Sequence, residues 1–346
     1  MTLPLLMDVD TGIDDALALL LAVRSPELRL VGAGAVAGNI SVDLAARNTL
    51  RVLEVVGATD VLVAVGAAAP LLEERADAAW VHGSDGLGDS GQPHPAGKLS
   101  EESAVEQLLR LSHEHAGELV VVAVGPLTNI AMALRTDSTV VGRLARIVVM
   151  GGSARAGGNL AAWGEANIAH DPEAAAIVFE ADVARTMIGL DVTMRSTLGE
   201  PDVQRLATSG DPAGTFAAQI LPHYLAVYER WTGERRCPVH DALAVAVAAQ
   251  PDLVAASELP VRVECAGRHT RGMTVVDLRG LLGGGALTVD GPRSAVALDV
   301  DAERFLDLLL ERLTGGGHDG EPEDGTGAGS GGAAEEAPGG ASGSVA

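Results

Sequence analysis

This sequence predicts an α/β fold, an open and mostly parallel sheet flanked by helices, on three observations. Short apolar runs alternate with longer helix-like segments along most of the chain. The runs are near-continuously apolar, as strands covered on both faces of a parallel sheet are. They also end on Gly, Pro, Asn or Asp, residues that close strands and open helices.

The elements follow in order. Residues 3–7 read as the first strand and 16–23 as the first helix. A second strand over 28–36 ends at Gly38-Asn39, before a helix over 41–56 and a strand over 60–65. A strand over 118–124 closes at Gly125-Pro126, and a helix runs from 127 to 134. The strand 146–150 meets Gly151-Gly152. Asp171-Pro172 opens a helix over 173–180, with Pro in the first turn. A strand over 184–190 ends at Asp191. Residues 261–265, 273–278 and 295–300 are expected as later strands, with antiparallel pairing open to them.

Bulk properties narrow the function. Hydrophobic residues make up 47% of the 346, enough for a sizeable core. Aromatics are only 2%, so the core is mostly Val, Leu and Ala and each aromatic matters individually. A net charge of −23 argues against nucleic acid and anionic membranes and suits a cation site. Two cysteines, Cys237 and Cys265, make neither a disulfide framework nor a Cys-rich zinc site. No apolar run is long enough to span a bilayer. The acidic turn follows Met1 too closely for a signal peptide, so a cytoplasmic location is expected. Residues 1–314 are expected to form one domain. Residues 315–346 are mainly Gly, Ala, Ser, Glu and Asp, and read as a disordered tail whose ordering burial cannot offset.

The most informative segment is Asp8-Val9-Asp10-Thr11-Gly12-Ile13-Asp14-Asp15, an acidic turn between the first strand and helix. A helix cap needs one Asp, or two with the dipole. That leaves Asp8 and Asp10 at the strand end unexplained. Carboxylates this close repel, and a hard cation such as Ca²⁺ or Mg²⁺ relieves the repulsion. The carboxyl end of a strand is also where open α/β sheets place their sites.

Other strand ends carry polar residues that a core does not need. Asn39 reads as a turn residue or a ligand contact. His82-Gly83-Ser84-Asp85-Gly86-Leu87-Gly88 is either a loop over a site or an ordinary glycine loop. The carbonyl of Val124 stands at a strand end, and carbonyls are good hard-cation ligands. Asn159, Glu165 and Asn167 lie in a Gly-rich stretch and suit a polyhydroxylated ligand, or else form a polar surface loop. His240-Asp241 opens an apolar helix over 242–249. Asp241 is either a cap or a partner of the acidic turn, and a His with a near-neutral pKa can act as general acid.

Taken together, these residues resemble the inosine–uridine-preferring nucleoside hydrolases, or ribohydrolases. The resemblance rests on the acidic turn, the GPLTNIA stretch at 125–131, Gly158-Asn159 with Glu165-Ala166-Asn167, and Asp171-Pro172-Glu173-Ala174-Ala175. It also includes His82-Gly83 with Asp85-Gly86-Leu87-Gly88, and His240-Asp241. It covers nearly the whole chain before residue 315 and implies the Rossmann-like nucleoside hydrolase fold. It implies Ca²⁺ held by Asp10, Asp15, the Val124 carbonyl and Asp241, with two ribose hydroxyls and a water. Asp14, Asn39, Met150, Asn159, Glu165 and Asn167 would hold the ribose, while His82, Tyr224 and Tyr228 line the base pocket. Asp10 would be general base to the calcium-bound water, and His240 would assist departure of the base. The implied reaction hydrolyses the N-glycosidic bond of a ribonucleoside, in a homodimer or homotetramer.

The sequence departs from the family pattern at Ala161-Ala162, where Thr-Pro is usual, and at Ala166, where a Phe commonly flanks the base. Trp163 either replaces that aromatic wall or packs the loop, so base preference stays open. Two other readings compete. A non-catalytic nucleoside- or ribose-binding protein would lose the acid and base, yet Asp10 and His240 are both present. A haloacid-dehalogenase-like phosphatase would need a phosphate-binding lysine, and the only lysine is Lys98, in a Pro/Gly-rich loop.

Overall fold

A computed structural model describes residues 2–282 and 291–316. Of the segment read as a tail, residues 317–346 lie outside the described residues. In chain order the elements begin with β1 (Leu3–Val9), α1 (Ile13–Arg24), β2 (Leu28–Ala35), α2 (Val42–Val55) and β3 (Val63–Val65). Next come α3 (Ala79–His82), α4 (Ala104–Glu114), β4 (Leu119–Ala123), α5 (Thr128–Thr136) and β5 (Leu144–Met150). The middle of the chain forms α6 (Ala166–His170), α7 (Pro172–Glu180), β6 (Arg185–Ile188), α8 (Leu190–Thr193) and β7 (Thr197–Gly199). Then follow α9 (Glu200–Ala207), α10 (Pro212–Thr232), β8 (Arg236–Pro238) and α11 (His240–Ala249). The last elements are β9 (Val254–Val263), β10 (Thr274–Val276), β11 (Arg293–Val300) and α12 (Ala302–Leu313).

Among the described residues, nine strands form one sheet in the order β10-β9-β11-β6-β5-β4-β1-β2-β3. Every pair from β11 to β3 is parallel, and β9 runs antiparallel to both β11 and β10. The expected mostly parallel sheet is therefore present. Residue alternation along β1 sends Leu5, Met7 and Val9 into the core beneath α1, α10, α11 and α12. Leu6 faces the opposite core, under α4, α5 and α7. Helix α1 is buried from Ile13 to Ala22, which explains its lack of a polar face.

The chain leaves β1 to one side through β2 and β3, then returns to β4 on the other side. This reversal makes the carboxyl ends of β1 and β4 the topological switch point, where open sheets bind ligands. The acidic turn leaves β1 there and Val124 leaves β4.

Several expected strands have different bounds, among them 60–65, observed as Val63–Val65, and 273–278, observed as Thr274–Val276; two have a clear physical reason. The strand read over 184–190 stops at Ile188, because Gly189 and the short helix α8 turn the chain. The strand read from residue 261 begins at Val254. Its first half is mostly exposed on an outer strand, so it lacks the continuous apolar signal.

Because α1 is enclosed on all sides, shortening a side chain in it leaves a cavity. Leu20→Ala is expected to destabilise the protein by about 2–5 kcal/mol, read from urea unfolding midpoints. A change below about 1 kcal/mol would show that this helix is not packed as described.

Candidate active site

A cleft opens at the switch point. Twelve of the residues singled out in the sequence line it: Asp14, Asn39, His82, Val124, Met150, Asn159, Glu165, Asn167, Tyr224, Tyr228, His240 and Asp241. Asp10 and Asp15 do not line it, and both are fully buried.

The acidic turn is organised by backbone amides. Asp15 accepts from the N–H groups of Gly12 (2.9 Å) and Asp10 (3.1 Å), which folds the turn back on the start of α1. Asp10 Oδ2 accepts the Asn39 N–H at 2.7 Å, and the Asn39 side chain donates to Asp15 at 3.2 Å. Close approach demands glycine here. A Cβ on Gly38 would lie 2.0 Å from Asp10 Oδ2, and one on Gly12 would lie 2.5 Å from His82 Nδ1.

Carboxylate oxygens of Asp14, Asp15 and Asp241 lie within 4.8 Å of one another, and all three residues are buried. Asp241 thus joins the acidic turn from the far end of the sequence. The converging set includes Asp14, which the resemblance assigns to ribose, while Asp10 adjoins it through Asp15. Burial pushes all four carboxyls upward. Asp15 adds to the effect at Asp10 and at Asp14, the latter reaching about 8. Asp14, Asp15 and Asp10 add to it at Asp241. Asp10 Oδ1 and Asp14 Oδ1 are buried without a hydrogen-bond partner. An all-oxygen, crowded and partly unpartnered donor set fits a hard divalent cation.

The ribose-side residues have partners within the protein. Asn167 Nδ2 donates to the carbonyls of Val124 (2.7 Å) and Met150 (3.1 Å). The Val124 carbonyl, expected as a cation ligand, therefore has one lone pair engaged and one remaining. Glu165 caps α6, accepting from Gly152, Asn167 and Ile168, and burial still raises it to about 6. Asn159 is exposed and accepts the Ala166 N–H.

Aromatic rings line the other side. His82 stacks on Tyr224, which meets Tyr228 edge-on, and Tyr228 meets Trp231 edge-on. Trp231 in turn contacts Trp80 at 4.9 Å between centroids. Trp80 and Trp231 were not singled out in the sequence. Their rarity was the available signal, since the chain has three tryptophans. Trp163 does not line the cleft; it borders a small cavity beside Ser153, Ala154 and Arg155. Trp163 therefore does not supply the missing aromatic wall, and its side chain is half exposed.

The His82 loop also resolves. Asp85 Oδ1 accepts from Leu87 and Asp89, Ser84 bonds Asp89, and Asn48 holds the Asp85 carbonyl. His82 alone of its motif reaches the cleft. Its Nδ1 accepts the Ile13 N–H at 3.1 Å, so its proton resides on Nε2.

His240 lies between Tyr228 and Thr193. Its Nε2 is 3.1 Å from the Tyr228 hydroxyl and its Nδ1 is 2.7 Å from Thr193 Oγ1. Burial lowers His240 to about 4, and burial with His240 and His223 lowers His82 to about 3. The near-neutral pKa expected for His240 therefore does not hold, and both imidazoles are neutral at pH 7. Lys98 is exposed and outside the cleft, so the phosphatase reading lacks its lysine.

Fold and site together define an α/β protein with a carboxylate-lined cleft at the switch point of its sheet. Residues 5–307 match the family model of the inosine-uridine preferring nucleoside hydrolases. The chain is 40% identical over 315 residues to the pyrimidine-specific ribonucleoside hydrolase RihA of Escherichia coli O9:H4 (strain HS), covering 90% of this chain and 99% of that protein. It superposes on the purine-preferring ribonucleoside hydrolase from Gardnerella vaginalis with a TM-score of 0.84 at 35% identity, covering 90% and 98% of the two chains. The plant nucleoside hydrolase PpNRh1 gives a TM-score of 0.85 at 31% identity, covering 91% and 99%. The chain belongs to the inosine-uridine preferring nucleoside hydrolase family and is an enzyme that hydrolyses ribonucleosides. Among the described residues, no helix is long and apolar enough to cross a membrane.

The shifted carboxyls set a pH dependence for the metal-free protein. Asp8 (about 7) and Asp14 (about 8) are raised, as are Asp10 and Asp241, so the folded state binds more protons than the unfolded state. Stability then falls as pH rises through those values. The lowered histidines oppose this only below about pH 6.5, their unfolded value. The thermal midpoint of chelator-treated protein is therefore expected to fall from pH 6.5 to 9, and CaCl₂ to restore it most at the alkaline end. A midpoint that is flat or rises across that window would contradict these protonation states.

Proposed function

We propose that this enzyme is a Ca²⁺-dependent ribohydrolase that releases ribose and free nucleobase. The carrying observation is that two of the clustered buried carboxylates, Asp14 and Asp241, line the same cleft as the hydrogen-bonded Tyr228–His240 pair. Asp10, Asp15, the Val124 carbonyl and Asp241 would hold the cation. When bound, Ca²⁺ supplies positive charge that acidifies a water and orients vicinal hydroxyls.

The chain's own residues account for the remaining chemistry. Asp14, Asn39, Met150, Asn159, Glu165 and Asn167 bind the ribose. Their carboxylates also stabilise positive charge as the anomeric carbon gains oxocarbenium character. Asp10 accepts the proton of the attacking water. The C1′–N bond breaks with its electron pair leaving on the base. His240 does not serve as an imidazolium, because burial keeps it neutral. It acts with Tyr228 by hydrogen-bonding the departing base as the electron pair leaves; any proton this pair gives to the base is replaced by the one Asp10 took from the water, so that water's proton ends on the free base. His82, Tyr224, Tyr228, Trp231 and Trp80 surround that base. Residues 1–314 carry the whole activity, and the later segment is dispensable: a chain ending at Thr314 should keep its midpoint and turnover, and a loss of several degrees would refute this.

Asp10→Asn should nearly abolish ribose release while altering substrate affinity much less, since the amide keeps the space and loses the base. Separate binding and turnover measurements decide it, and near-normal kcat would exclude Asp10 as base. His240→Ala should slow natural ribonucleosides by about 10²–10⁴-fold and spare p-nitrophenyl riboside, whose leaving group departs as an anion. Equal losses on both substrates would assign His240 to orientation alone.

A further inference from the structure

Asn129, in the first turn of α5, has no role in the chemistry above, yet it joins the strand ends that present the site. It is 1% exposed. Its Nδ2 donates to Asp8 Oδ1 at 2.8 Å and to the Ala35 carbonyl at 3.0 Å. Its Oδ1 accepts the Ala67 N–H at 2.8 Å. Asp8 is on β1 just before Asp10. Ala35 ends β2, ahead of Asn39. Ala67 accepts the Ala37 N–H on the same stretch, at 2.9 Å. Asn129 itself follows the turn that carries Val124. The space around it is shaped for a carboxamide: a Cβ on Gly66 would lie 2.2 Å from its Oδ1 and 2.4 Å from its Nδ2. The other Asp8 oxygen has no partner, so among the described residues Asn129 supplies the only side-chain hydrogen bond to that carboxyl.

We propose that Asn129 is a positioning residue for the cation site, setting the spacing between the acidic turn, the Asn39 turn and the Val124 turn through one carboxamide. The inference rests on the cation-dependent reading above. Its neighbour Thr128 offers an internal comparison. Thr128 Oγ1 donates to Asp171 at 2.7 Å, away from the carboxylates, so it ties the same helix start to α7. A purely structural role for Asn129 would make the two residues behave alike.

The test uses the full chain, stripped with chelator and titrated with CaCl₂ by calorimetry, at a temperature where circular dichroism shows every variant folded. Asn129→Asp keeps the acceptor for Ala67 and removes both donors; Asn129→Ala removes all three bonds. Each is expected to weaken Ca²⁺ binding by about 10–100-fold and to lower kcat more than it raises KM for uridine or inosine. Thr128→Val is expected to lower the thermal midpoint and leave the Ca²⁺ Kd within about twofold. Adding Asp8→Asn to Asn129→Asp restores a donor–acceptor pair with roles exchanged and should recover part of the affinity. If Asn129→Ala fails to fold, Asn129→Asp and the exchange variant still decide. An Asn129→Asp enzyme with unchanged Kd and kcat overturns the proposal, as does a Thr128→Val enzyme with an equal loss of affinity. A wild-type chain that hydrolyses ribonucleosides without binding Ca²⁺ overturns the cation reading and this inference with it.

Discussion

Four carboxyl groups buried together at the carboxyl end of β1 are the constraint that the rest of this structure serves. Asp10, Asp14, Asp15 and Asp241 have almost no access to water, and burial drives each toward its protonated form. Such a cluster costs stability unless amides, hydroxyls or a cation compensate it. The local sequence supplies part of that compensation. Gly12, Asp10 and Asn39 donate backbone N–H groups, and Asn39 and Tyr224 add side-chain donors. Two oxygens remain without partners, so the protein's own donors do not complete the site.

The same burial sets the state of the two histidines in the cleft. Burial keeps His82 and His240 neutral, so neither imidazole offers a positive charge to offset the carboxylates. Neutral imidazoles can both donate and accept, so each ring's partners specify its use. His82 is fixed by the Ile13 amide, which begins the same helix that the acidic turn caps. His240 is bracketed by two hydroxyls. In the proposed mechanism acid–base function there belongs to a hydrogen-bonded pair, and removing Tyr228 would change the proton's path as well as the aromatic surface.

Much of the fold was legible because its signals are local. Parallel strands buried on both faces are continuous apolar runs, and the turns at Gly38, Gly125 and Gly151 stop them. The start of β9 was not legible, since an exposed antiparallel strand has no such run. In the site, the acidic turn and the His240-Asp241 pair stood out because polar residues at strand-to-helix junctions have no packing purpose. Trp80 and Trp231 did not, because they come from a short helix and a long one whose approach only the tertiary structure shows. Asn129 was hidden for a similar reason. A lone Asn in a helix's first turn looks like local capping, and its three partners lie on other strand ends. The low pKa of His240 depends on complete burial, which the sequence does not reveal.

The central claim is that the buried carboxylates are held together by one cation. A crystal structure of the Ca²⁺-loaded enzyme, with the ion located by its anomalous scattering, tests it most directly. A single Ca²⁺ ligated by Asp10, Asp15, Asp241 and the Val124 carbonyl is expected, with Asp14 left to the sugar. An ion bound elsewhere, or crystals that hold no Ca²⁺ among these residues at saturating concentration, would contradict it.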